Sequence, residues 1–322
     1  MGCINSKQSF PIQETYTASP NYQYRSASDS HISSGPNARL PGLVESRLPD
    51  TQIRLIGVAR WPDSNFNQDD FPHQWDYGRA FWEGTRETGA SLASGEIQSF
   101  SEIWQAARDW RCERPNCNPR LFGTTRLIPE DRNRVYATPL TNSYRYVRDK
   151  FEGRNDGILD RVNDDVTEIH FPLCEKLHGN IIRLTTTVLN TNPSAHRNDE
   201  AHRYLNNEAI NPFRLSHTDI STVEEILMPH IDNLFENLKN SHETVPRTMK
   251  RLGDLHWWLA NAMPDRRGSA AKSEFVIRSI AQAKGIDLPP MKYGLVADIE
   301  AMTTSRSTFI KNYSNMFEAP DL

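Results

Sequence analysis

Residues 256–275 read HWWLANAMPDRRGSAAKSEF, and how this stretch folds decides the architecture around it. Leu252, Leu255, Leu259 and Ala262 recur at helical spacing, so a helix with an apolar stripe runs up to Pro264 and stops there. The hexapeptide PDRRGS is then a loop, and a second helix begins at about Ser269. Gly268, Ser269, Ala270 and Ala271 are small, which leaves the first amide N–H groups of that helix unobstructed. Those donors have no partner inside the helix. Orphan donors and the helix dipole both draw anions to such an end. Arg266 and Arg267 directly precede it and carry planar donor forks suited to phosphate oxygens. A phosphate or diphosphate cradle is one reading. A tight helix–helix turn whose arginines pair with nearby acids is the other, and residue types alone leave both open.

Working outward, Val276, Ile277, Ile280 and Ala281 continue the helical period until Gly285 and Pro289-Pro290 end it. From Thr218 onward, Val223, Ile226, Leu227 and Ile231 define another helix. The middle third has a different character. Short β-friendly runs, RVYATPL, VTEIHFPL and NIIRLTTTVL, alternate with polar loops such as EGRNDG and NTNPSAHRNDEAH, which predicts a few antiparallel strands. Before them, QWDYGRAFWEGTRETGASL and FSEIWQAARDW read as two amphipathic helices whose aromatic residues belong to the core, with Ser101 as the N-cap of the second. Order is expected to begin at IRLIGVARWPD, where Ile53 to Val58 make a short apolar run. The expected class is α+β: a larger, mainly helical lobe from residues 51–137 and 214–322, and a smaller α/β lobe over 138–213.

Composition excludes several classes. A chain of 322 residues with a net charge of −4 lacks the basic face that a general grip on nucleic acid needs. No stretch approaches the apolar length of a membrane span, and no apolar signal-peptide core opens the chain. The four cysteines, Cys3, Cys112, Cys117 and Cys174, fit neither a disulfide framework nor a zinc site. Cys112 and Cys117 in RCERPNCNPR are spaced too widely for a metal knuckle and read as a loop with two reduced thiols, in keeping with a reducing cytosol. No metal is expected.

Single polar residues carry less on their own. His217, in NPFRLSHTD, falls where the strand-rich part returns to the helical part, and such junctions favour ligand sites, although a satisfied structural histidine is the ordinary alternative. Asp298 in GLVADIEAM stands at a helix start, where an acid is ordinarily a cap or dipole partner. Thr138-Pro139 reads as a strand-end turn. His196 and His202 have the wrong spacing for shared metal ligation on a helix and are taken as part of a solvated loop.

Residues 1–50 stand apart, with nine serines, five prolines and no period of either kind, a mixture that buries too little apolar surface to offset the entropy of ordering. They are expected to be a disordered tether that also serves as an export signal. The opening heptapeptide MGCINSK meets the pattern for N-myristoylation at Gly2, with Cys3 beside it as a palmitoyl acceptor. One myristoyl chain binds membranes only marginally, and the four basic residues of this segment are matched by four acids, so Cys3 is the expected second anchor.

Taken together, MGC…SK, LIGVARWPD, TPL…Y, LHGNIIRL, NPFRLSHT, the 256–275 block, GIDLPP and VADIEAM resemble the AvrB family of plant-pathogen effectors, type III secreted proteins with a Fido superfold. The resemblance covers nearly the whole chain. It implies a two-lobed fold related to Fic and Doc proteins, whose H-x-F-x-[DE]-G-N-x-R loop supplies a basic His and a phosphate-holding Gly-Asn turn. Laid on this sequence, that loop reads Met263 to Ser269, so the His is absent and Arg267 replaces the acid, while the phosphate-cradling turn is kept. The activity that the resemblance implies is instead transfer of rhamnose from a nucleotide-diphosphate sugar, a co-substrate with no covalent cofactor, to a Thr of a membrane-associated host immune regulator. A non-catalytic clamp on that regulator and a nucleotide is the alternative, and residual AMP transfer a third. Thr138, His217 and Asp298 are the implied catalytic residues; Tyr144, Arg267, Gly268, Ser269 and Ala270 are the implied nucleotide- and phosphate-binding set. Where relatives carry Gln-Arg-Tyr before Asn-Pro, this chain has Glu208, Ala209 and Ile210, which removes a cation from the cleft rim. The lipid signal implies a host N-myristoyltransferase and the cytosolic face of the host plasma membrane as further partners.

Overall fold

The structure, a computed structural model, describes residues 48–62, 72–115, 117–131, 135–140, 144–151, 153–161, 167–190 and 213–319. Residues 1–47 of the tether with Gly2 and Cys3, His196, His202, and the Glu208, Ala209 and Ile210 segment lie outside the described residues, while Asp50, expected in the tether, already belongs to a helix. The class is α+β. In chain order the elements are α1 (Asp50–Ile53), α2 (Pro72–Ser94), α3 (Phe100–Cys112), β1 (Ala137–Pro139), α4 (Arg145–Phe151), β2 (Ile158–Arg161), β3 (Thr167–Leu177), β4 (Asn180–Asn190) and β5 (Phe213–Ser216). A helical turn at Ile220–Thr222 and a π-helical stretch at Val223–Leu227 lead into α5 (Met228–Asn240); α6 (Val245–Ala262), α7 (Ser269–Ala283), α8 (Ala297–Thr303), α9 (Arg306–Asn312) and a 3-10 turn at Tyr313–Met316 follow.

Helix α6 is the hub. From Leu252 to Ala262 every residue but Asp254 is buried, the pattern of a helix enclosed on all sides. Trp257 and Trp258 are fully buried and pack edge to face at 5.0 Å. Helices α5, α7, α8 and α9 surround it. Helix α2 lies along α7, close enough that a Cβ at Gly89 would sit 2.8 Å from the Ser279 carbonyl oxygen, so the approach requires glycine.

Helix α3 starts two residues earlier than the Ser101 expectation. Ser99 is the N-cap: its hydroxyl accepts from the Glu102 amide, and the Glu102 carboxylate accepts in return from the Ser99 amide, a reciprocal capping box. The S-x-x-E spacing of Ser99 and Glu102 outcompetes Ser101 because it satisfies two orphan donors.

The five strands form one antiparallel sheet in the order β1-β5-β4-β3-β2. A two-residue turn joins β3 to β4, with His178 and Gly179 both at positive φ, as the right-handed strand twist demands. Thr138 and Pro139, expected as a turn beyond a strand, are instead in β1 opposite Leu215 and Arg214. Pro139 is tolerated because β1 is an edge strand, where a missing donor costs no ladder bond. Leu184 and Leu215 are buried from the sheet side and join the same apolar cluster as the α6 tryptophans.

Candidate functional site

The α6–α7 connection is held by residues far away in sequence. Helix α6 ends at Met263 in a left-handed conformation, φ 43°, and one side chain takes its last two carbonyls. Arg126 donates from Nε to the Met263 oxygen at 2.6 Å and from a terminal nitrogen to the Ala262 oxygen at 2.7 Å. The backbone follows. The Arg126 amide donates to the Pro264 oxygen, the Arg266 amide to Thr124, and the Gly123 amide to Arg267, at 3.0, 2.8 and 2.9 Å. Residues 263–267 thus run antiparallel to 123–126.

Gly268 follows at φ 92°, and a Cβ there would lie 2.5 Å from the Phe122 ring, so the position needs glycine twice over. Helix α7 begins at Ser269, with Ala270 and Ala271 next and no side-chain cap. The Ser269 hydroxyl turns back and accepts from the Asp265 amide at 3.0 Å. Beneath it, Lys272 meets the Asp265 carboxylate at 2.7 Å, with both side chains buried. The two arginines separate here. Arg266 pairs with buried Asp131 at 2.7 Å, which is the structural half of the two readings, whereas Arg267 is exposed at the helix start.

The strand ends are fastened to the same place. His217 directly follows β5, and its amide donates to the Tyr136 oxygen at 2.8 Å. Thr218 donates its hydroxyl proton to the Asn261 oxygen at the end of α6. Tyr136 in turn donates to Asp131, the acid that holds Arg266, and the Arg126 guanidinium lies 5.3 Å above the Tyr136 ring. Burial pushes the Arg126 guanidinium down to about 10.

Within this frame the His217 Nε2 and the Thr138 hydroxyl are hydrogen-bonded at 2.8 Å, a contact set by the register that places β1 beside β5. Burial, with the Arg126 charge as a second cause, lowers the His217 pKa to about 3, so the ring is neutral at physiological pH. Its Nδ1 has no hydrogen-bond partner among the described residues.

The third component comes from α8, which is pinned to α6 by the Asn261 amide donating to Ala301 and the Trp257 indole donating to Thr304. Asp298 stands in the first turn of α8. Burial raises its pKa to about 6, and its own amide and that of Ile299 only partly offset this. It senses the charge of Glu274, in the second turn of α7, and it raises the phenol pKa values of Tyr144 and Tyr146, whose main cause is burial. Tyr144 packs edge-on against Trp61 at 4.8 Å, and the Tyr146 hydroxyl has no hydrogen-bond partner among the described residues.

Thr138 and His217 therefore meet directly, and Tyr144 and Asp298 share one neighbourhood. Arg267, Gly268, Ser269 and Ala270 form the start of α7. Three residues of the frame, Arg126, Asp131 and Tyr136, escaped sequence reasoning. Arg126 and Asp131 lie in TTRLIPED, a stretch given no assignment from sequence, and Tyr136 lies in the β-friendly run RVYATPL. Chemically, these elements supply amide donors at a helix start, a neutral imidazole bound to a hydroxyl, and a carboxylate whose pKa is raised to about 6.

Comparison with known proteins agrees with the resemblance seen in the motifs. The family model for AvrB and AvrC, described as an avirulence protein, matches residues 1–320. Avirulence protein B of Pseudomonas savastanoi pv. glycinea is 32% identical over 335 residues, which cover 99% of each chain. With one family model spanning the length of the molecule and a relative aligned end to end, the chain belongs to the AvrB/AvrC family of avirulence proteins.

Proposed function

We propose that this avirulence-family effector is a glycosyltransferase that moves rhamnose from a nucleotide-diphosphate sugar to a threonine of a host immune regulator. Three separate features support the reading: the α7 start without a side-chain cap beside Arg267, the His217–Thr138 hydrogen bond, and Asp298 with a pKa raised to about 6. In this reading residues 51–137 with 214–322, and residues 138–213, are the two lobes that flank the cleft.

Arg267 and the first amides of α7 hold the diphosphate and stabilise the negative charge that grows on it. The acceptor oxygen forms a bond to the anomeric carbon as the bond from that carbon to the phosphate oxygen breaks. The electron pair leaves with the diphosphate. The acceptor proton goes to the Asp298 carboxylate, whose raised pKa suits a base working near neutral pH. His217, with a pKa near 3, is too weakly basic for that role and instead orients, together with Thr138.

The same weak basicity favours a second reading, in which the protein clamps a host regulator and a nucleotide without chemistry. Intact mass spectrometry of a host target incubated with protein and nucleotide sugars separates the two. A deoxyhexose adduct is expected; an unmodified target that still binds would establish the clamp, and an AMP adduct would restore the Fic-type reaction.

Gly2 and Cys3 are proposed as myristoyl and palmitoyl sites that a host N-myristoyltransferase and palmitoylation would use to bring the protein to the plasma membrane. The variant carrying Gly2→Ala and Cys3→Ser is expected to leave the membrane fraction. Sedimentation unchanged from the parent chain would remove lipid anchoring as the cause.

A further inference from the structure

We propose that Cys112 and Cys117 form a redox-active thiol pair that a small-molecule disulfide closes into an intramolecular disulfide, and that closure moves the loop cradling Gly268. Cys112 is the last residue of α3 and Cys117 lies in the loop beyond it; the two sulfurs are 3.4 Å apart and both residues are partly exposed. A disulfide requires about 2.05 Å between sulfurs, so a movement of little more than an ångström joins them.

The approach is held in place by the arginines of α3. Arg111 donates to the Pro115 oxygen at 3.3 Å and Arg108 to the Pro119 oxygen at 2.9 Å, folding the loop back over the end of its own helix. Holding two reactants at short range replaces a bimolecular encounter with an intramolecular one, which favours ring closure over capture by a second small thiol. Cys174, exposed on β3, has no such neighbour among the described residues.

Oxidised glutathione balances the step. One cysteine thiolate attacks a glutathione sulfur and expels glutathione thiolate; the other then attacks the mixed disulfide and expels the second. Two protein S–H bonds are exchanged for one S–S bond, and glutathione disulfide is reduced to two thiols.

The loop continues into the residues that pair with the α7 start. The Asn118 oxygen accepts from the Leu121 and Phe122 amides, the Phe122 ring lies against Gly268, and Gly123 donates to the Arg267 oxygen. Arg108 serves both ends, since its stem also lies where a Cβ of Gly123 would fall, 2.7 Å away. Drawing Cys117 toward α3 therefore pulls on the residues that shape the α7 start. Nothing in this inference depends on what binds there.

The test is the full chain equilibrated in glutathione buffers of increasing oxidising strength, then alkylated and mapped by peptide mass spectrometry. A peptide pair linking Cys112 to Cys117, lacking two hydrogens and restored by dithiothreitol, is expected while Cys174 gives only an alkyl or glutathione adduct. Cys112→Ser and Cys117→Ser should each stop at a glutathione adduct on the remaining cysteine. Equal labelling of Cys112, Cys117 and Cys174 at every ratio, or links to Cys174 or between chains, overturns the pair. Hydrogen exchange read on the same samples should change several-fold across residues 118–124 and 265–270 on oxidation, and not in Cys112→Ser. Unchanged exchange there with the disulfide formed overturns the coupling.

Discussion

The inner and outer sides of the α6–α7 turn use the same few residues in opposite ways. On the inner side every charge is answered: Lys272 by Asp265 at 2.7 Å, Arg266 by Asp131 at 2.7 Å, and Arg126 by two carbonyls. On the outer side Arg267 is exposed and the α7 amides start without a side-chain cap. The difference teaches that the turn is fastened to the body of the molecule from beneath, while its outer face carries the residue proposed to meet the diphosphate.

The comparison breaks most visibly at Lys272. Lys272→Met leaves a buried carboxylate without its partner and is expected to cost about 3–5 kcal/mol in chemical denaturation. Adding Asp265→Asn should recover much of it. A single variant as stable as the parent would mean that the inner side does not support the turn.

Asp298 gives the next effect, through pH. Its folded pKa of about 6 lies above the 3.8 of an ordinary Asp, so between those values the folded chain keeps a proton that the unfolded chain has released. That contribution is full below the unfolded value and is lost as pH rises through the folded one. Relative to Asp298→Asn, the parent chain should lose on the order of 2–3 kcal/mol between about pH 4 and about pH 7. Parallel stability profiles would show that the carboxylate is not held in a low-dielectric site.

Gly268→Ala should cost about 1–2 kcal/mol, since a non-glycine residue is strained in the left-handed region and its Cβ meets the Phe122 ring. A crystal structure or a thermal melt indistinguishable from the parent would contradict the tight packing of the α7 start. The smallest effect on stability belongs to the outer side: Arg267→Ala should change it by about 0.5 kcal/mol or less, as an exposed substitution does, yet abolish donor-nucleotide binding in calorimetry. Unchanged affinity would remove the phosphate reading.

Much of this turn was legible in sequence. Pro264 and the run of small residues marked where one helix stops and the next begins, because their effects act through neighbouring backbone. What joins the turn to the rest was not, since Arg126 acts on carbonyls 136 and 137 residues away and no local pattern records that distance. The histidines show the same limit. His256 and His217 are both driven to a pKa near 3 by burial, but His256 is closed off in the core with its Nδ1 on the Tyr313 hydroxyl at 2.9 Å, whereas His217 sits at a strand end against Thr138. Residue type and spacing could not sort them; the register of β1 on β5 does. Strand runs were recognisable, but the edge position that permits Pro139 within β1 is a property of the whole sheet.

The Arg126 contacts have a bearing on how the molecule can be divided. Because the end of α6 is terminated by a guanidinium from the N-terminal half, a fragment beginning after residue 131 would carry α6 and α7 with a frayed joint between them. The joint would regain its shape only when the missing piece was supplied in trans, which makes fragment complementation, rather than truncation, the natural way to dissect this protein.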